Sequence, residues 1–244
     1  MLLLLNERLV KTNNFDSYRD VGDPKQSAKV YNAQDADELV FLNINREHRN
    51  ITPLVNLLED ISEVCFMPLT LGGGITVLQD AENLIMNGAD KVVINSICFK
   101  KPTIIEEIAR KFGAQAVVVS IDVRLRNGKF VLFSDCGRKE EAVSLEDHLI
   151  VCVQAGAGEI FINSIDNDGM MNGYNIELIK MVQRLVQVPV IACGGAGNYT
   201  HMKDAFLQTH ISGLACGSLF NFGDNNPIRA KAFLTNYGIQ FKKI

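Results

Sequence analysis

The feature that most constrains this chain is that it says the same thing twice. Gly72-Gly73-Gly74-Ile75 is followed, 23 positions after Gly73, by Ser96 in Ile94-Asn95-Ser96. Gly194-Gly195-Ala196-Gly197 is followed, 23 positions after Gly195, by Ser218 in Cys216-Gly217-Ser218. The two blocks lie 122 residues apart in a chain of 244, which is half its length. A second echo, Glu38-Leu-Val-Phe-Leu against Glu159-Ile-Phe-Ile-Asn, agrees within one residue of that spacing, 121 positions apart. Self-similarity at a fixed period is the signature of a duplicated architecture. Two halves, about 1–115 and 116–244, account for it within one domain, and no Pro/Gly/Ser-rich linker separates them.

Each half carries four short apolar runs alternating with helical patterns. The strand candidates are Leu2–Leu5, Glu38–Ile44, Met67–Leu71, Lys91–Asn95, Ala116–Ile121, Glu159–Asn163, Pro189–Cys193 and Gly213–Cys216. Helical patterns such as Pro102–Lys111 and Ile176–Leu185 lie between them. Near-continuous apolar strands separated by helices predict a parallel sheet buried on both faces. Eight such units can close into a (β/α)8 TIM barrel, for which about 250 residues is typical. An open doubly wound sheet is the alternative that periodicity alone leaves standing.

Hydrophobic residues at 47% and charged residues at 21% fit a chain that buries a sizeable core. A net charge of −4 gives no reason to expect nucleic acid or an anionic membrane as partner. The apolar start, Met1–Leu5, runs at once into Asn6-Glu7-Arg8, too short for a signal peptide or a membrane span. The six cysteines are dispersed with no C-x-x-C pair, which predicts free thiols in a cytoplasmic protein. The four histidines show no metal-ligand spacing, and no cofactor motif is present.

In a barrel, chemistry belongs at the C-terminal ends of the strands. The glycine clusters, with Gly73, Gly74, Gly194 and Gly195, end strands three and seven, and Asn95-Ser96 and Gly217-Ser218 end strands four and eight. Glycines there let backbone N–H groups approach an anion closely. The simpler reading is a pair of tight turns, but two copies in register favour two phosphate sites facing each other across one mouth. One elongated small-molecule ligand with a phosphate at each end is then expected. Asp122 ends strand five, near the middle of such a ligand, where a carboxylate can move protons or merely cap a loop. Asp168, with Gly169 behind it, ends strand six beside the second phosphate site and can cap the loop or hold a substrate hydroxyl. Lys11 begins a polar stretch running to Pro24, readable as a mobile lid whose lysine reaches a phosphate or as a solvated loop. At the opposite end Glu38, Lys91 and Glu159 start strands two, four and six, and alternate strands feed common layers. The three can form a charged gate at the barrel floor, or be ordinary solvated strand ends.

These residues resemble the cyclase subunit of imidazole glycerol phosphate synthase, HisF, over essentially the whole chain. The resemblance rests on Val10-Lys-Thr12 with Asn14-Phe15, Arg19-Asp20, Gly22-Asp-Pro24, Asp37-Glu-Leu-Val-Phe-Leu42, Gly72–Ile75, Gly88-Ala-Asp-Lys91, Gln115–Val119, Ser164-Ile-Asp166, Asp168-Gly169 and Ala192–Gly197. It implies a (β/α)8 barrel that receives ammonia from a glutaminase docked on its N-terminal face. The ammonia would pass through the barrel to cleave and cyclise a bisphosphorylated ribonucleotide, giving imidazole glycerol phosphate and aminoimidazole carboxamide ribonucleotide. By the same resemblance Asp122 is the acid of strand five and Lys11 the lysine of the first loop. Gly74, Asn95 and Ser96 would hold one phosphate, and Asp168, Gly169, Gly195, Gly217 and Ser218 the other. Glu38, Lys91 and Glu159 match three members of the family's ammonia gate; the fourth, an arginine, falls before Met1, which points to a start upstream of it.

The departures are as specific as the matches. The family's second catalytic acid aligns with Leu3, which cannot transfer a proton. Asn43 stands for the usual acid ending strand two, Met170 for a threonine, and Cys193 for a serine. The Leu-rich first strand looks like a divergent HisF branch that supplies ammonia for acetamidino groups on surface-polysaccharide sugars. Two functions therefore stand: a lyase-cyclase subunit, or an ammonia-channelling adaptor. A phosphosugar isomerase or aldolase ranks below both, because no strand carries a Schiff-base lysine.

Overall fold

A computed structural model describes residues 1–241. Its strands are β1 (Leu2–Leu5), β2 (Arg8–Thr12), β3 (Tyr18–Gly22), β4 (Leu39–Asn43), β5 (Leu69–Gly72), β6 (Lys91–Ile94), β7 (Val117–Arg126), β8 (Lys129–Ser134), β9 (Lys139–Glu140), β10 (Glu159–Ser164), β11 (Val190–Cys193) and β12 (Gly213–Ala215). Its α-helices are α1 (Pro24–Ala33), α2 (Thr52–Ile61), α3 (Leu78–Met86), α4 (Ser96–Lys100), α5 (Thr103–Phe112), α6 (Leu145–Gln154), α7 (Ile176–Leu185), α8 (Tyr199–Gln208), α9 (Ser218–Asn221) and α10 (Pro227–Thr235).

Eight strands form one parallel path in the order β1, β4, β5, β6, β7, β10, β11, β12. At the seam the Met1 amine donates to the Cys216 carbonyl just past β12, at 2.8 Å. The eight expected strands are these eight, in this order, and the chain is a (β/α)8 barrel. Helix starts follow local chemistry. Asp23, Ser144, Asn175, Asn198 and Asn226 each accept a backbone N–H of the first turn, and Pro24 and Pro227 stand at first helical positions.

The period of two along each strand sorts residues into two cores. Outward side chains such as Leu4, Phe41, Val92, Val119 and Ile162 join the helices in the larger cluster. Inward ones form a small cluster inside the barrel, Val40, Val93, Val118, Phe161 and Cys193, with Met1, Leu42, Ile191 and Ala215 against it. On the same inward register Glu38, Lys91 and Glu159 lie one step below Val40, Val93 and Phe161, Asn95 and Asn163 lie one step above Val93 and Phe161, and on β7 Ser120 separates Val118 from Asp122, which is level with Asn163. The inner faces of β6 and β10 thus each run from a charged floor through an apolar middle to a polar mouth.

Two hairpins interrupt the β/α alternation. β1 turns through Asn6-Glu7, both in left-handed conformation (φ 49° and 62°), into β2 and then β3, all antiparallel. β7 runs ten residues, past the barrel rim, and turns at Asn127-Gly128 into β8. The first hairpin corrects an expectation. Lys11 does not sit on a polar loop; it lies in β2 and is buried, because Leu9 and Val10 pair that segment with β1.

Candidate active site at the barrel mouth

Asp122 sits on the inner wall of β7, where the backbone is paired on both sides, with Asn163 of β10 and with Phe133 of β8. Burial is the main influence on its carboxyl and pushes the pKa up to about 7. A hydrogen bond from Asn95 Nδ2 to Asp122 Oδ2, 2.7 Å, pulls the other way; the charge of Asp168 pushes up and the Asn163 carboxamide pulls down. A carboxyl poised near neutrality suits a group that both takes and gives a proton. Asn163 was not singled out from the sequence. Its signal was there, since it stands two residues past inward-facing Phe161 and level with Asp122.

Asp122 opens into a cavity of about 190 Å³, bounded also by Gly73, Gly74, Asn95 and Ser96. Gly73 has φ +87°, and a methyl group there would overlap the Asn43 carbonyl oxygen. Gly195 repeats the arrangement in the other half at φ +106°, with the Gly173 carbonyl in the way. Only glycine fits either turn, for the same reason in both copies. Asn95 Oδ1 and Asn163 Oδ1 are buried without a partner among the described residues. An unsatisfied buried polar atom costs about 1–3 kcal/mol, a cost that a polar ligand in the cavity would remove.

A second, smaller pocket lies where β11 and β12 end and is bounded by Lys11, Asp168, Gly169, Gly194, Gly195, Gly217 and Ser218, with Met1 forming a wall common to both. β5–β6 and β11–β12 are four strands apart in the ring, so the pockets face each other across the mouth. Here the polar groups largely satisfy one another. Asp168 accepts from Lys11 Nζ at 2.6 Å and from Thr12 Oγ1 at 2.6 Å, with all three buried. Ser218 Oγ is the exception, buried and without a partner among the described residues. The lysine stem crosses Gly217, where a larger residue would press on it.

The divergent positions also have definite places. Leu3 is buried on β1 between Val10 and Leu42 and bounds the Asp122 cavity. Asn43 closes its own loop, donating to the Asn50 carbonyl and accepting from the Asn45 amide, 3.0 Å each. Burial raises the Cys193 thiol to about 12, so it stays protonated near neutral pH.

At the barrel floor Lys91 Nζ donates to Glu38 Oε2 and to Glu159 Oε2, both at 2.8 Å, and Thr70 Oγ1 donates to Glu38. Burial would lower the Lys91 pKa, but the bonds to Glu159 and Glu38 outweigh it and raise it. The three charges therefore meet in one cluster spanning β4, β6 and β10. Among the described residues there is no cluster of metal-ligating side chains and no helix long and apolar enough to cross a membrane.

A (β/α)8 barrel with matched glycine turns in its two halves around a buried acid at the C-terminal strand ends defines the class, a half-duplicated barrel with its site at the mouth. Residues 4–226 match the family described as histidine biosynthesis protein, and the chain belongs to it. It is 40% identical to the imidazole glycerol phosphate synthase subunit HisF of Thermotoga sp. (strain RQ2), over 96% of this chain and 92% of that one. It is 39% identical to the HisF subunit of Alkaliphilus metalliredigens (97% and 94% covered) and 38% to that of Flavobacterium johnsoniae (97% and 94%).

Proposed function

We propose that this chain is the HisF-type subunit of a glutamine amidotransferase complex, taking ammonia from a partner glutaminase at the barrel floor and using it at the Asp122 mouth. The observation that carries this reading is the stacking of charged floor, apolar interior and Asp122 on one inward register of β4, β6, β7 and β10. Ammonia is small and neutral and can pass an apolar layer that excludes ions. The reaction that kinship supports is lyase-cyclase chemistry on a bisphosphorylated ribonucleotide. One phosphate would sit on Gly73, Gly74, Asn95 and Ser96, and the other on Gly195, Gly217 and Ser218 with Gly169, Gly194, Asp168 and Lys11 around it. Asp122, poised near neutrality, would move protons during ammonia addition and ring closure.

Leu3 favours a second reading. Paired acid and base roles need two groups flanking the reacting atoms, and Leu3 places an aliphatic wall where the family's other carboxylate stands. In that reading the barrel conducts ammonia for acetamidino-group formation on a surface-polysaccharide sugar, and another protein performs the transfer. One experiment separates the two. The nucleotide substrate is supplied with free ammonium and imidazole glycerol phosphate is measured. Turnover that disappears in Asp122→Asn supports the cyclase; no turnover under conditions where a HisF relative works rejects it in favour of the conduit.

A further inference from the structure

The polar lining of the Asp122 cavity starts below Asp122 itself. Along the inner face of β7, Val118 belongs to the apolar interior, Ser120 follows, and Asp122 comes next. Ser120 is level with Phe161 of β10, and Asp122 is level with Asn163. Ser120 is therefore the first polar side chain met on leaving the apolar interior along β7. It is 5% exposed and bounds the cavity, and its hydroxyl has no partner among the described residues. Buried side-chain hydroxyls ordinarily bond to protein or water. This one is directed at whatever occupies the cavity.

The groups around it are acceptors. Asn95 commits its amide to Asp122, and the Asn163 carboxamide also bonds the acid. Each leaves a side-chain oxygen without a partner among the described residues. The cations that bound the same cavity, Arg46, Arg49 and Lys100, stand farther out, on the loop after β4 and at the end of α4. A hydroxyl, two carboxamide oxygens and a carboxyl make an inner wall that disfavours anions and suits a small N–H donor. Ammonia is the smallest such ligand, with three N–H bonds and one lone pair. N–H bonds held on the wall leave the lone pair free for an electrophilic ligand in the cavity.

We propose that Ser120 and Asp122 form a binding site for ammonia at the inner end of the cavity, with Ser120 Oγ accepting one N–H and the Asp122 carboxylate another. The inference rests on the reading that ammonia crosses the barrel, and it names the residue that receives it. Ser120 is then a residue that binds the nucleophile and has no part in holding either phosphate.

The test is NMR of the full chain, titrated with ammonium chloride at a fixed, mildly alkaline pH. Tetramethylammonium chloride, bulky and without N–H, keeps the ionic strength constant, and potassium chloride is run in parallel. The Asp122 carboxyl carbon and the Ser120 backbone amide should shift and saturate with ammonium, half-way on the order of 10 mM. Potassium, similar in size but without N–H, should need at least about fivefold more. Ser120→Ala should weaken ammonium binding about fivefold, one hydrogen bond's worth. Ser120→Thr, which keeps the hydroxyl, should stay within about twofold of the native chain, which separates loss of an acceptor from disturbance of β7. Shifts that do not saturate, that potassium reproduces equally, or that Ser120→Ala leaves unchanged overturn the site. The proposed function is judged apart from these results, by turnover of the nucleotide substrate with free ammonium. Saturable binding without turnover removes the cyclase and keeps this site; turnover with no saturable binding does the reverse.

Discussion

Asn95 Nδ2 donates to Asp122 Oδ2 at 2.7 Å, which ties the first-half anion pocket directly to the acid on the inner wall of β7. A donor to a carboxylate stabilises its charged form, so this bond restrains a pKa that burial pushes to about 7. Asn95→Ala should therefore raise the Asp122 pKa further, by about one unit, as read from the carboxyl carbon shift in NMR. A pKa that stays put or falls would show that the contact does not influence the acid.

Asp122 should also make the fold pH-sensitive. Its folded pKa lies above the unfolded value of 3.8, so the protonated form favours folding. That stability is fully present below pH 3.8 and is lost as pH rises through about 7. Between pH 5 and pH 8 the native protein should lose on the order of 2 kcal/mol relative to Asp122→Asn in urea unfolding. Parallel pH dependences for the two proteins would contradict the burial of an ionisable acid here.

The Lys11–Asp168 pair makes a prediction of another kind. Both side chains are buried and bonded at 2.6 Å, with Thr12 on the second carboxylate oxygen. Removing one partner strands the other, at a cost of roughly 3–5 kcal/mol. Lys11→Met should lose about that much in chemical denaturation, and adding Asp168→Asn should restore part of it. A single variant as stable as the native chain would mean that the lysine is a solvated loop residue after all.

Lys91 offers a test of the floor cluster that is separate from the chemistry at the mouth. Lys91→Met leaves Glu38 and Glu159 without the cation they share. Assayed with a partner glutaminase, glutamine-driven turnover should fall about tenfold or more, while turnover on free ammonium, supplied from the mouth side, changes little. An equal loss in both assays would place the defect at Asp122 instead.

The eight barrel strands were legible because each is an apolar run with clear breakers on both sides, and the duplicated glycine blocks named the mouth. The hairpins were not. Asn127-Gly128 is a recognisable two-residue turn signal, yet β7 was expected to stop at Ile121, because Asp122 looks like a strand end when it is in fact a mid-strand residue. Asn6-Glu7 carries a weaker signal, and without that turn Lys11 read as part of a polar loop. Arg46 and Arg49 lacked any local pattern; they reach the mouth only through contacts between loops distant in sequence, such as Arg46 with Cys136, 90 residues away.

The length of β7 has a consequence for how such a barrel changes its chemistry. Because Asp122 lies inside a ladder bonded to β10 on one flank and β8 on the other, its Cα is held by the sheet itself. Nothing short of unzipping a ladder would reposition it. Variation in what the mouth accepts is thereby channelled to the surrounding walls, to side chains such as Leu3 and Arg46, which can be exchanged while the proton-handling group keeps its address.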